Sequence, residues 1–257
     1  MLKKHSAILS AVFGIVFAPI FLGAQQPAPA QRAKSVLQTE SKVSVLAIAE
    51  SIPNLNNAND PSLKSQLKQY HDCTCTCGCY ENDLNRESEQ AIAYLRDRAA
   101  HPRKPGEKMA LVLDIDETSL SNYEEMAGAD FGYDAKAFND WIESAKAPAI
   151  QGTLNIYREA RRLGVFVFFI TGRDESQRAA TEKNLKSQGF QKWERLIMRT
   201  PEQKSETALK YKSGVRSGLN GEGFQIVLSV GDQWSDLGGK PEAELSVKYP
   251  DPFYFIQ

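Results

Sequence analysis

Histidine is nearly absent from this chain: His5, His71 and His101 are the only three in 257 residues. That scarcity excludes hydrolases built on clustered histidines, whether as metal ligands or as the base that activates a nucleophile. Positive charge is not in excess either. Lysine and arginine number 31 against 32 aspartates and glutamates, a net charge of −1. This excludes a protein that holds nucleic acid through a basic field, so no nucleic-acid polymer is expected as a partner. Long apolar runs are missing beyond the first two dozen residues, so no stable membrane span is expected after processing. Cysteine is confined to one stretch, Cys73, Cys75, Cys77 and Cys79.

What is present begins with an address. Lys3 and Lys4 precede an apolar run over 7–23, interrupted only by Ser10 and Pro19, and Ala24 leads into Gln25 and Gln26. A basic start, a short apolar core and a small-residue exit predict a signal peptide over 1–24, cleaved after Ala24. The protein is therefore expected to be exported, to a periplasm or to the exterior. Residues 25–34, rich in Pro, Ala and Gln, read as a linker. Residues 35–106 read as an N-terminal helical extension: one helix begins at Asp60-Pro61, and an amphipathic helix over 81–100 carries Leu84, Ile92 and Leu95 on its apolar stripe. Between them lies the cysteine-rich loop 73–79. In an exported protein disulfides are the default, but four thiols this close also suit Zn²⁺ or Cu(I), or can stay unpaired.

From residue 107 the pattern changes. Short, unbroken apolar runs over 109–113, 165–170 and 224–230, and a weaker one over 195–198, alternate with helical patterns over 152–163, 175–188 and 202–217. Buried parallel strands read this way, and their alternation with helices predicts an α/β fold with a doubly wound parallel sheet over 107–257. In such sheets the reactive groups lie beyond the carboxyl ends of the strands.

Those ends are chemical. The first strand runs into Asp114-Ile115-Asp116-Glu117-Thr118, the second into Thr171-Gly172-Arg173, and the last into Gly231-Asp232 and on to Asp236. Asp114 and Asp116 sit two apart and can point at one volume. Close carboxylates repel unless a cation or a proton offsets them, and oxygen ligands suit Mg²⁺. A carboxylate can also attack phosphorus, a second can carry a proton, Thr171 can bond a phosphoryl oxygen and a lysine can neutralise it. Lys204, Lys210 and Lys212 all precede the last strand. Arg173 fits a structural ion pair better than a phosphate contact.

In order and spacing these motifs resemble the haloacid dehalogenase-like superfamily, whose signature is DxDxT after a strand, a second strand ending in Thr or Ser, a lysine, and an acidic pair such as GDxxxD. DIDET, FFITGR, YKSGVR and GDQWSDL resemble more narrowly its acid phosphatase group, which holds bacterial class B and class C enzymes and plant vegetative-storage-protein relatives; the class C and plant branch is nearer, over roughly residues 80–240. The resemblance implies a Rossmann-like core and a Mg²⁺-dependent phosphomonoesterase acting on a small phosphomonoester, a nucleoside monophosphate being one class. It implies Asp114 as nucleophile and metal ligand, Asp116 as acid/base with its backbone carbonyl on the metal, and Thr171 and Lys212 as phosphate ligands. Asp232 becomes a metal ligand, and Asp236 a ligand through water or a support behind it. Lys204 and then Lys210 are the rivals of Lys212. A mostly helical cap is expected over about 121–150, where Tyr123, Phe131, Tyr133, Phe138 and Trp141 suit a cap core better than a stacking platform; Trp234 is expected beneath the site. A proton donor that is a carboxylic acid implies an acidic optimum. Phosphotransfer to an acceptor alcohol, and a non-catalytic storage or binding role, are the alternative functions.

Overall fold

A computed structural model describes residues 61–73 and 79–256. The expected signal peptide, the linker, residues 35–60, and Cys75 and Cys77 lie outside the described residues. In chain order the elements are α1 (Pro61–Asp72), α2 (Tyr80–Ala100), β1 (Lys108–Leu113), α3 (Tyr123–Gly128), α4 (Ala135–Ser144), α5 (Gln151–Arg162), β2 (Phe166–Asp174), α6 (Arg178–Ser187), β3 (Arg195–Arg199), α7 (Ala208–Gly221), β4 (Phe224–Gly231), α8 (Trp234–Leu237) and β5 (Leu245–Lys248). Short 3₁₀ turns at Glu175–Gln177 and Pro201–Gln203 precede α6 and the loop to α7.

The five strands form one parallel sheet in the order β3-β2-β1-β4-β5. Alternation along each strand sends side chains to opposite faces, and both faces are apolar because both are covered. Leu111, Leu113, Val167 and Phe169 bury against α1, α2 and α5. Ala110, Val112, Phe168, Ile170 and Ile226 bury against Tyr211 and Leu219 of α7. The result is the expected α/β fold, a parallel sheet covered by helices on both faces.

Helices α1 and α2, expected ahead of the core, are packed onto it. Helix α2 lies along α5, and the approach is close enough that a Cβ on Gly152 would stand 2.0 Å from Ser88 Oγ. Ser88 Oγ in turn meets the Tyr249 hydroxyl at 2.6 Å, and Thr153 Oγ1 donates to that same hydroxyl at 3.1 Å. One buried polar knot thus joins α2, α5 and the segment after β5. Strand β5 itself was not expected. The helical patterns expected over 175–188 and 202–217 are each divided into a 3₁₀ turn and a helix. Among the described residues, no helix is long and apolar enough to cross a membrane.

Candidate active site

The chain winds from β1 outward to β2 and β3, then crosses over β1 to β4 and β5. The carboxyl ends of β1 and β4 therefore flank the point where the winding reverses, the place where such sheets bind ligands. Asp114 leaves β1 with its amide held by Val230 O at 3.1 Å. Asp232 and Asp236 follow β4. Ligand oxygens of Asp114, Asp232 and Asp236 lie within 4.8 Å of one another, and all three residues are buried. Gly231 makes this possible: a Cβ there would stand 2.3 Å from the Cβ of Asp236.

Helix α7 supplies the cation. Thr207 caps it, accepting from Lys210 N at 3.2 Å, and Lys212, just past the first turn, points inward. Its Nζ donates to Asp114 Oδ1 at 2.6 Å and to Asp236 Oδ1 at 2.5 Å. The rivals go elsewhere. Lys204 is 58% exposed and pairs with Asp174, and Lys210 is 72% exposed and pairs with Glu206.

Lys212 contacts two of the three carboxylates, Asp114 and Asp236, so with all three ionised the buried site carries a net charge of −2. Burial, then the neighbouring Asp236, pushes the Asp114 carboxyl well up in spite of Lys212, and burial likewise raises Asp236. Burial works against the Lys212 ammonium, but Asp114 and Asp236 outweigh it and hold the lysine charged. An all-oxygen donor set with this residual charge fits a hard divalent cation.

Asp116 lives in a different environment. Arg173, buried at the end of β2, grips it with Nη2 2.7 Å from Oδ1 and Nε 3.2 Å from Oδ2, and braces its own Nη1 on Thr181 Oγ1 at 3.1 Å. Burial opposes ionisation of Asp116, but Arg173 and a bond from Asn122 overcome it and hold the carboxyl below its usual range. Asn122 Nδ2 bonds both Asp116 Oδ1 and Glu117 Oε2 at 2.9 Å, while its Oδ1 accepts from the Trp141 indole at 2.9 Å. A cap helix is thereby tied to Asp116. Glu117 takes the left-handed conformation, φ 49°, and burial with Asp116 nearby raises its carboxyl to about 8.

Thr171 is fully buried at the end of β2, its hydroxyl accepting from Arg173 N at 3.2 Å. A cavity of about 810 Å³ opens above Asp114, Asp116 and Lys212, and on the β2 side Gly172 and Arg173 rather than Thr171 line it. Its mouth is aromatic, with Phe131, Tyr133 and Phe138 from the cap region and Phe255 from the C-terminal tail. The cap aromatics divide: Tyr123 is buried, Tyr133 is 80% exposed, and Trp141 serves as a donor. Trp234 is not beneath the site; it is 48% exposed, with Lys248 Nζ 5.8 Å from its ring centre.

Thr118, Gln233 and Tyr254 donate to Asp232, and Asp251 is in hydrogen-bond contact with it too. Of the groups around the site, Asn122, Glu117, Gln233 and Tyr254 were not anticipated in these roles. Glu117 carried one signal, an acid directly beside Asp116; the others act across the fold and have no spacing to betray them. Cys79 is buried and hydrogen-bonded to Cys73, and its thiol is pushed up chiefly by burial.

The model of HAD superfamily, subfamily IIIB (acid phosphatase), matches residues 32–257. Acid phosphatase 1 of Solanum lycopersicum is 37% identical over 182 residues, 69% of this chain and 69% of that protein. The stem 28 kDa glycoprotein of Glycine max is 36% identical over 183 residues, 69% of this chain and 70% of that protein. The class C acid phosphatase from Bacillus anthracis, in its structure with tungstate bound, superposes with a TM-score of 0.59 at 24% identity, covering 75% of this chain and 86% of that one. This last likeness concerns the fold.

Proposed function

The chain belongs to subfamily IIIB of the HAD superfamily, the acid phosphatases, and we propose that it is an exported, Mg²⁺-dependent phosphomonoesterase working through an aspartyl-phosphate. The single observation that carries this reading is the Asp114–Lys212–Asp236 contact beside Asp232, set at the winding reversal of the sheet, with Asp114 and Lys212 facing the cavity.

Asp114, Asp232 and Asp236, with the backbone carbonyl of Asp116, would hold the cation. Once bound, a divalent cation offsets the negative charge that would otherwise keep a phosphate away from Asp114. Phosphoryl transfer asks for in-line attack and neutralised charge more than for covalent assistance. The Asp114 carboxylate attacks phosphorus and the bond to the ester oxygen breaks. Lys212 neutralises the transferring group, and the Thr171 hydroxyl, which does not line the cavity in this structure, would have to be uncovered to bind one of its oxygens. Asp116, protonated, gives its proton to the leaving alkoxide. As a carboxylate it then takes a proton from water, whose oxygen attacks phosphorus, releasing inorganic phosphate and restoring Asp114.

Arg173 bears on the pH of this cycle. An acid held below its usual range is protonated only in acidic solution, which supports an acidic optimum for the step in which Asp116 donates. The aromatic mouth suits phosphomonoesters with a flat leaving group, nucleoside monophosphates among them.

The test is p-nitrophenyl phosphate turnover at acidic pH. EDTA is expected to abolish it and Mg²⁺ to restore it; turnover indifferent to EDTA rejects the metal. A panel of nucleoside, sugar and aryl phosphates ranks the leaving groups. Added alcohol separates hydrolysis from transfer by whether a new phosphoester accumulates. The mass of the exported protein, expected to begin at Gln25, tests the leader.

A further inference from the structure

The last residues of the chain reach back into the carboxylate cluster. After β5 the backbone passes Tyr249 and Asp251 and brings Ile256 beside Gln233. Asp251 is tied to its own segment, Oδ1 accepting from Phe253 N at 2.9 Å, and Oδ2 accepts from Gln233 Nε2 at 2.8 Å. Ile256 N donates to Gln233 Oε1 at 3.1 Å. Phe253 is buried with its ring 5.2 Å from both Tyr80 of α2 and Tyr123 of the cap. The tail is therefore clamped on both sides, and Tyr254 is delivered to a defined place.

That place is Asp232. Its Oδ1 accepts from Thr118 Oγ1 at 2.8 Å, while Oδ2 accepts from Gln233 Nε2 at 2.8 Å and from the Tyr254 hydroxyl at 3.1 Å. Asp251 is in side-chain hydrogen-bond contact with Asp232 as well, so the carboxylate is held from several sides at once. Thr118, Gln233 and Tyr254, from three parts of the fold, thus fix the orientation of the carboxylate.

We propose that Tyr254 is a positioning residue for the cation, acting through Asp232, and that the C-terminal tail is a working part of the metal site. The proposal rests on the reading that Asp232 binds a divalent cation. Partners that orient a ligating side chain typically set metal affinity by 10- to 100-fold, and a hydroxyl contributed from the chain's end is one such partner.

The experiment titrates Mg²⁺ into the metal-stripped mature protein by calorimetry, for wild type, Tyr254→Phe, Phe255→Ala and Asp232→Asn. Tyr254→Phe removes one oxygen and keeps the ring. Its Kd for Mg²⁺ is expected to weaken about tenfold or more. Its melting temperature in EDTA is expected to match wild type, its KM for p-nitrophenyl phosphate to hold, and excess Mg²⁺ to restore kcat. Phe255→Ala, whose ring is 71% exposed, should bind Mg²⁺ as wild type does, and Asp232→Asn should lose binding. A wild-type Kd in Tyr254→Phe overturns the proposal, whether or not its metal-free melting changes, and leaves the phosphatase reading standing. Failure of wild type itself to bind Mg²⁺ removes the metal reading and the proposal together.

Discussion

The Arg173 guanidinium holds Asp116 by a two-nitrogen contact, Nη2 2.7 Å and Nε 3.2 Å from the two carboxylate oxygens. Arg173 is thus engaged in an ion pair, and on the proposed mechanism it sets the ionisation of the proton carrier. Arg173→Met removes the charge that outweighs burial, so the Asp116 pKa must rise. Asp116 has to be ionised to take a proton from water. The acid limb of dephosphorylation, followed by single-turnover kinetics against pH, is therefore expected to move to higher pH. An acid limb at the wild-type position contradicts the assignment.

Lys212 stands between two buried carboxylates, and Lys212→Met leaves both without their cation. Removing one partner of a buried pair costs about 3–5 kcal/mol, so metal-free denaturant unfolding should show a loss of that order. Charge stabilisation in the transferring group is lost as well, and kcat should fall by about 10²–10³. Lys204→Met and Lys210→Met alter exposed pairs worth about 0–1 kcal/mol. Both should keep wild-type kcat. A Lys204 variant as damaged as the Lys212 one would transfer the phosphate role to Lys204.

Two glycines separate packing from chemistry. Gly231→Ala drives a methyl into Asp236, the contact lying 2.3 Å away, so it should lower both stability and activity. Gly152→Ala meets Ser88 of α2 instead of a site carboxylate, with the intruding contact at 2.0 Å. Overpacking costs about 1–3 kcal/mol, against about 1 kcal/mol recovered by replacing glycine within a helix. A net loss of stability with kcat/KM intact is expected for Gly152→Ala, read by thermal melting beside turnover.

Glu159 supplies a pH signature independent of the active site. Arg162 and Arg96 hold its carboxyl at about 2, below the ordinary 4.5. A depressed folded-state pKa stabilises the fold above the unfolded value, and that contribution disappears as pH falls through the window between the two. Glu159→Gln should therefore melt below wild type at neutral pH, and the two curves should converge as pH drops from about 4.5 towards 2. A constant gap across that window contradicts the ion-pair assignment.

Much of this was legible because the physics is local. Strands buried on both faces announce themselves as unbroken apolar runs, as in 109–113 and 165–170, and reactive residues directly after them inherit their place from the topology. Asp114, Asp116, Asp232 and Asp236 are singled out that way, whereas Lys212 is preferred over Lys204 and Lys210 from the resemblance of YKSGVR to the family motif. Strand β5 was not: four residues ending in Lys248 on a sheet edge are too short to show a pattern. Nor does any spacing relate Tyr254 to Asp232 or Asn122 to Trp141, since such pairs exist only once the chain has folded. Trp234 was misplaced because a residue inside a motif need not face the site that the motif builds.

The central claim is that Asp114 attacks phosphorus. The most direct measurement is an acid quench of the protein during turnover of a phosphoester carrying radiolabelled phosphate, followed by peptide mapping. The account predicts a hydroxylamine-labile label on the peptide containing Asp114 in wild type, and neither label nor turnover in Asp114→Asn. Label on another residue, or Asp114→Asn turning over at the wild-type rate, would contradict it.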